Sequence, residues 1–174
     1  LNAVDLIKDF KKETDVIYAA NVICHVPNLN DLIKTIDELL SSNGVFIFEE
    51  PYLGSMFEKA SYDQIYDEHI FMFSGSSVKK IFEIYNMDLI DLIKQPTHGG
   101  SMRYIIGRKG KHKINSNVNQ ILDEEKIRNL DNIAACNIFK KSCEDSKKNL
   151  NQSLIKLKNE GKKIVGYGAT SKST

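Results

Sequence analysis

Arginine is scarce in this chain: Arg103, Arg108 and Arg128 are the only three among 24 basic residues. Each is therefore of interest wherever a two-pronged contact to an anion is needed. An excess of either sign is also missing. The 24 Lys and Arg stand against 23 Asp and Glu, for a formal net charge of +1. Bulk electrostatics thus gives no case for nucleic acid or a membrane as partner. Cysteine is limited to Cys24, Cys136 and Cys143, an odd number without a CxxC pair. This excludes a zinc-knuckle pattern and fits reduced thiols in a cytoplasmic protein. No apolar run reaches the roughly 18 residues that a membrane-spanning helix needs. Internal repeats and low-complexity tracts are lacking. There is no initiating Met and no signal peptide; the chain begins at Leu1 and stops at Thr174, just past a glycine-bearing turn. The expectation is that both ends are cuts through a longer protein.

What is present reads as a soluble α/β chain. Hydrophobic residues make up 41% and charged residues 27%, ordinary values for a globular protein. Residues 4–12 read as the end of a helix. The run 15–20 (DVIYAA) has the length and apolar content of a strand buried in a parallel sheet. A helix is predicted over 30–42, with Leu32, Ile33, Ile36, Leu39 and Leu40 on one face and Asn43-Gly44 as its stop. A second buried strand follows at 45–49, closed by Pro51. Strand, helix, strand with connections this short make a βαβ unit. Residues 52–73 have no clean period and read as a lid or loop with short helical turns. A helix at 76–86 and two strands at 87–93 and 102–106 come next, the strands forming an antiparallel pair. The charged stretch 116–159 reads as two helices breaking near 128–131. Residues 164–169 read as a strand entering a glycine turn. The composition shift near 110 (GRKGKHK) is the expected domain boundary.

Five places could carry chemistry. Ligands of open α/β sheets sit beyond the carboxyl ends of strands, so Asn21 and His25 could touch a cofactor; a turn cap and a packed His are the structural alternative. Glu49-Glu50 ends the next strand, where one carboxylate could bind a ligand hydroxyl, or one could be buried and the other solvated. In 62–69 (YDQIYDEH), His69 stands among Asp63, Asp67 and Glu68. Such a density of polar groups just before Phe71-Met72-Phe73 is costly to bury unless it faces a ligand; a solvated loop with a surface His is the alternative. Tyr66 and His69 share a face in helical turns, and His is the usual proton acceptor near neutral pH. In 98–103 (HGGSMR), two glycines permit close backbone approach, and Ser101 and Arg103 have the same strand parity; an ordinary glycine hairpin is the alternative. Finally Gly166, Gly168, Thr170 and Lys172 belong to a glycine turn whose N–H groups suit a phosphate, although a lone GxG is weak.

Taken in order, DVIYAANVICHV, GVFIFEEPYL, YDQIYDEHIFMFS, HGGSMRY and GKKIVGYGATSKST resemble the sugar C-methyltransferase family. These enzymes install branched methyl groups on keto-deoxysugar nucleotides. The two middle motifs and the last are specific, and the five together cover about residues 15 to 174. The resemblance implies part of a class I methyltransferase sheet in 1–110. It implies a helical linker and the start of a Rossmann-like nucleotide-sugar domain in 111–174. S-adenosylmethionine is the implied cofactor and a nucleotide-linked keto-sugar the implied partner. The family's zinc-binding domain would lie upstream. His69 would be the general base, with Glu68 and Tyr66 on the sugar and Ala20, Asn21 and Val22 beside the methyl donor. Glu49, His98, Ser101, Arg103, Gly166, Gly168, Thr170 and Lys172 would face the substrate. No cysteine-rich region and no glycine-rich strand turn precedes residue 15, so the fragment alone is expected to be inactive. Other readings are O- or N-methyl transfer on the same fold, or a non-catalytic nucleotide-sugar-binding module. No protein metal ligand set is expected here, and oligomeric state is not legible.

Overall fold

The computed structural model describes residues 9–168. Its centre is a four-stranded sheet of β1 (Thr14–Ala20), β2 (Leu40–Pro51), β3 (Met87–Gln95) and β4 (Ser101–Arg108), in the order β1-β2-β4-β3. Helix α1 (Leu29–Leu39) connects β1 to its parallel neighbour β2. The strands β3 and β4 form an antiparallel pair, and β4 also pairs antiparallel with β2. The chain is thus mixed α/β, as its strand and helix periods indicate.

One face of the sheet holds the core. Phe46 and Phe48 of β2 lie opposite Ile106 and Tyr104 of β4, all almost fully buried. Phe48 stacks on Tyr104 with ring centroids 4.7 Å apart. Helix α1 contributes Ile33 and Ile36, and α3 (Gly75–Glu83) contributes Val78 and Phe82. Asn28 caps α1 by accepting from the Asp31 N–H, and Ser74 with Ser77 forms a capping box on α3; caps of this kind contribute about 1 kcal/mol. Helix α4 (Ser116–Ile127) packs Val118 and Ile121 beside β3. The chain then breaks and continues as the 27-residue α5 (Ile133–Asn159), of which only Ala135 and Phe139 are buried.

Several expectations are corrected. Helix α1 ends at Leu39, and Asn43-Gly44 lies inside β2. The pairing slips between Thr14↔Leu40 and Val16↔Val45, so residues 41–44 form an irregular stretch in β2. Arg108 causes the early stop: its guanidinium donates to the Leu40 and Ser41 carbonyls and pairs with Asp37. The strand at 15–20 is less buried than expected, with Val16 and Tyr18 more than half exposed. Among the described residues β1 is an edge strand. Glu49 and Glu50 are both buried, so the alternative of one buried and one solvated carboxylate does not hold. The helix expected over 76–86 stops at Glu83, and Asn86 takes a φ of 57° before β3. Residues 162–168 have no regular secondary structure, so the strand expected from 164 is not formed there. Ile164, Val165 and Tyr167 are exposed, and among the described residues no strand pairs with them to satisfy their backbone. The expected helix at 4–12 shows only its end at Asp9-Phe10; residues 1–8 lie outside the described part.

Candidate functional site

The carboxyl end of β1 is fastened to that of β2. Asn21 leaves the strand with φ 53°, a left-handed conformation that Asn tolerates, and donates its N–H to the Glu49 carbonyl at 2.9 Å. The next three N–H groups, of Val22, Ile23 and Cys24, converge on Oε1 of Glu50 at 2.9, 2.6 and 3.3 Å. One buried carboxylate thereby satisfies the turn that carries Asn21, Val22 and His25. Ala20 is half-buried at the strand end, while Asn21 and Val22 are exposed beyond it.

The segment between β2 and α3 consists of α2 (Leu53–Lys59), a 3-10 turn at Tyr62–Gln64 and an irregular run to Phe73. His69 returns towards Tyr66 in a single tight turn, with its N–H on the Tyr66 carbonyl at 3.0 Å. The expected i, i+3 pairing is therefore real, but a turn creates it and not a helix. Nδ1 of His69 lies 2.9 Å from the Gln64 carbonyl, and Nε2 lies 2.8 Å from the Tyr66 hydroxyl. A carbonyl can only accept, so Nδ1 carries a proton. In the neutral ring Nε2 then holds the lone pair and accepts from Tyr66. The Tyr66 phenol is pushed up from its ordinary range by desolvation, helped by Glu68, Cys24 and Asp67. It stays a donor at neutral pH.

His25 joins this pair from the β1 turn. Its Nδ1 donates to the Glu68 carbonyl at 2.8 Å, and its ring centroid is 5.0 Å from that of His69. His25, Asp67, Glu68 and Ile70 line an open cleft. The Glu68 side chain is exposed there. A roomier hollow of about 390 Å³ between α3 and α4, with Lys79, Lys80 and Lys126 in its walls, contains none of the candidate residues.

Ligand atoms of Cys24, His25 and His69 lie within 4.8 Å of one another, a spacing that could hold a metal ion. Burial pushes the Cys24 thiol far up, and hydrogen bonding and charge from Glu50 push it further. The sulfur is held protonated, which opposes thiolate ligation.

Among the other candidates, Glu49, Ser101 and Arg103 are held by internal hydrogen bonds. Arg103 donates through Nε and Nη2 to Oε2 of Glu49 at 3.2 and 2.9 Å, and Thr97 donates to Oε1 at 3.0 Å. Ser101 is buried, and its hydroxyl donates to the Thr97 carbonyl. His98 is exposed. All three arginines are engaged internally: Arg103 with Glu49, Arg108 at the end of α1, and Arg128 with the Gly54 carbonyl. Gly166 and Gly168 are exposed, and Thr170 and Lys172 lie outside the described residues. Sequence reasoning gave no role to Gln64 or to the buried Glu125. The one signal for Gln64 was its place in the polar run before Tyr66.

Comparison with known proteins places the chain among methyltransferases. Residues 2–92 match a family described as methyltransferase domain, and residues 96–174 one described as C-methyltransferase C-terminal domain. The chain is 24% identical over 160 residues to C-methyltransferase NovU of Streptomyces niveus, covering 91% of this chain and 38% of that relative. It thus spans well under half of the relative's length. Among solved structures it is similar to an M1.HpyAVI–SAM complex, with a TM-score of 0.39 and 16% identity over 64% of this chain and 54% of that one. None of these similarities supports the zinc that the family resemblance implies upstream. No helix among the described residues is long and apolar enough to cross a membrane.

Proposed function

Since the chain belongs to the methyltransferase domain family, its first 92 residues matching that domain, we propose that it forms part of a longer cytoplasmic enzyme that methylates carbon. The substrate is a nucleotide-linked keto-sugar, and His69 removes the proton. Residues 1–110 act as the carboxyl-terminal half of the methyltransferase domain. Residues 111–174 lead into the domain that holds the nucleotide-sugar. The observation that carries this reading is the pair of contacts on His69, a protonated Nδ1 on the Gln64 carbonyl and a basic Nε2 on Tyr66. The match to a C-methyltransferase C-terminal domain favours carbon over oxygen or nitrogen as the acceptor.

S-adenosylmethionine, when bound, supplies an electrophilic methyl group on a sulfonium. The exposed Asn21 and Val22, with half-buried Ala20, offer one wall of a site for it at a parallel strand end. The turn that carries them is pinned by Glu50 and needs no rearrangement to present that wall.

Carbon becomes nucleophilic only next to a carbonyl. Docking of the sugar between His69 and Tyr66 parts their hydrogen bond. Nε2 then takes the proton from the α-carbon; the C–H electrons move into the C–C bond, and the carbonyl becomes an enolate. The released Tyr66 hydroxyl donates to the enolate oxygen, a charge that a preplaced donor stabilises. The enolate carbon would then be the nucleophile for the methyl group that the cofactor supplies. Glu68, at the cleft, binds sugar hydroxyls.

Replacing His69 with Asn in the full-length protein tests the assignment. Folding and cofactor binding should persist, and the methylation rate should fall about 10²–10⁴-fold, as on losing a general base. Unchanged turnover would remove His69 from the mechanism.

A further inference from the structure

The hydrogen on Nδ1 of His69 is held by a main-chain carbonyl, that of Gln64, in a short 3-10 turn between β2 and α3. The Gln64 side chain is itself anchored. It is buried to 6% exposure, unusual for an amide in a segment whose neighbours Asp63 and Ile65 are exposed. Nε2 of Gln64 donates to the His98 carbonyl at 3.3 Å, with Asp63 as a second acceptor at 3.4 Å. His98 belongs to a different part of the chain, the β3–β4 connection.

That connection is an unusual anchor. His98, Gly99 and Gly100 take φ values of 51°, 79° and 130° in succession. A non-glycine residue in this region is strained, and such strain persists only where the surroundings impose it. Here they do. Thr97 is tied to the buried Glu49, whose other oxygen is held by Arg103. Ser101 closes back onto the Thr97 carbonyl. Lys59 donates to the Gly99 carbonyl, and Tyr52 donates its N–H to the Gly100 carbonyl at 3.0 Å. Gly100 lies so close to α2 that a Cβ there would meet Ser55 at 2.5 Å. The loop is thus braced from β2, β4 and α2 at once, and its exposed turn presents the His98 carbonyl to Gln64.

We propose that Gln64 is a positioning residue: by bridging the His98 carbonyl to this turn it fixes the carbonyl that holds Nδ1–H of His69, and so keeps Nε2 unprotonated on the side of Tyr66. This rests on the reading of His69 as the base. It assigns to the HGGS stretch the task of aiming that base from behind. Glu49, Thr97 and Arg103 then serve the reaction through the brace, without touching the sugar.

The test reads the tautomer directly and needs no substrate. Nitrogen-15 NMR of the 174-residue chain, with the His69 ring assigned by comparison with His69→Asn, should show the Nδ1–H form in the wild type. In Gln64→Met, similar in bulk but unable to donate, the ring should shift towards the Nε2–H form that free imidazole side chains prefer. The pH at which it titrates should change with it. Gln64→Asn, with a shorter amide, should fall between the two. Thr97→Val, which loosens the loop and leaves Gln64 intact, should shift the ring in the same direction by less. In the full-length enzyme Gln64→Met should lower kcat more than it raises KM. A wild-type His69 in the Nε2–H form would overturn the proposal. So would a Gln64→Met chain, folded by its backbone NMR spectrum, whose His69 stays in the Nδ1–H form at an unchanged titration point. If the tautomer responds but His69→Asn still turns over, the positioning stands and the base assignment falls.

Discussion

Gly44 shows how the contact between two strands can depend on one missing carbon. A Cβ at this position would meet the Thr14 carbonyl at 2.7 Å and Leu40 at 3.0 Å. Both belong to the irregular start of the β1–β2 pairing. Gly44→Ala should therefore destabilise the chain by about 1–3 kcal/mol, the range for overpacking a fitted site. Urea unfolding would check it; an unchanged midpoint would show that the strands can part there without cost. This glycine looked like a helix stop because Asn-Gly after an apolar helical face is a common C-terminal signal. The competing cause, Arg108 gripping Leu40 and Ser41, acts from 67 and 68 residues away and leaves no local trace. The candidate base was easier to see. Tyr66, Glu68 and His69 stand together in the sequence, and a single turn brings Tyr66 and His69 into contact. Gln64 escaped attention because its partners are main-chain carbonyls, and every residue has one of those.

At the scale of elements, Glu125 joins three of them. It is 2% exposed and accepts from the Gly75 and Ser76 N–H groups at the start of α3, and from the Tyr52 hydroxyl before α2. Its own helix is α4. A carboxylate at a helix N-terminus is favoured by the free N–H groups and the helix dipole. Glu125→Ala would leave these donors buried without an acceptor, at about 1–3 kcal/mol for each unsatisfied group. We expect a loss of stability of roughly 3 kcal/mol or more on that basis, and a smaller one for Glu125→Gln, which keeps one acceptor oxygen. Equal unfolding midpoints for the alanine variant and the wild type would contradict the role. The strands and α1 were legible in outline because apolar period and turn residues agreed at 15–20, 45–49, 87–93 and 102–106. The placement of β4 between β2 and β3 was not, since it depends on the pairing of β2 with β4 across more than 50 residues. Residues 52–73 were legible as short helical turns, but their bounds were not, because the pieces are too short to show a period.

For the molecule as a whole, buried acids set the response to alkali. Burial pushes up the Cys24 thiol and the Tyr52 and Tyr104 phenols, with Glu50 or Glu125 adding to the shift. In the unfolded chain these groups lose protons near pH 8.5 for thiols and about 10 for phenols. A group whose folded value is raised contributes stability below its unfolded value, and that contribution is lost as pH climbs towards the folded one. The chain should therefore weaken steadily from about pH 9 upward. Urea midpoints measured between neutral and alkaline pH would show a fall; a flat profile would mean that the three protons are not held as the burial implies. The chain covers 38% of the relative it matches, and the function proposed above is that of a longer protein. The most direct test of the central claim uses that whole. The full-length protein, with S-adenosylhomocysteine in the cofactor site so that no methyl group can move, is given keto-sugar nucleotide in deuterated water. Exchange of the α-proton is then followed by NMR. If His69 is the base, the wild type exchanges the proton and His69→Asn does so about 10²–10⁴-fold more slowly; equal exchange by the two would contradict the account.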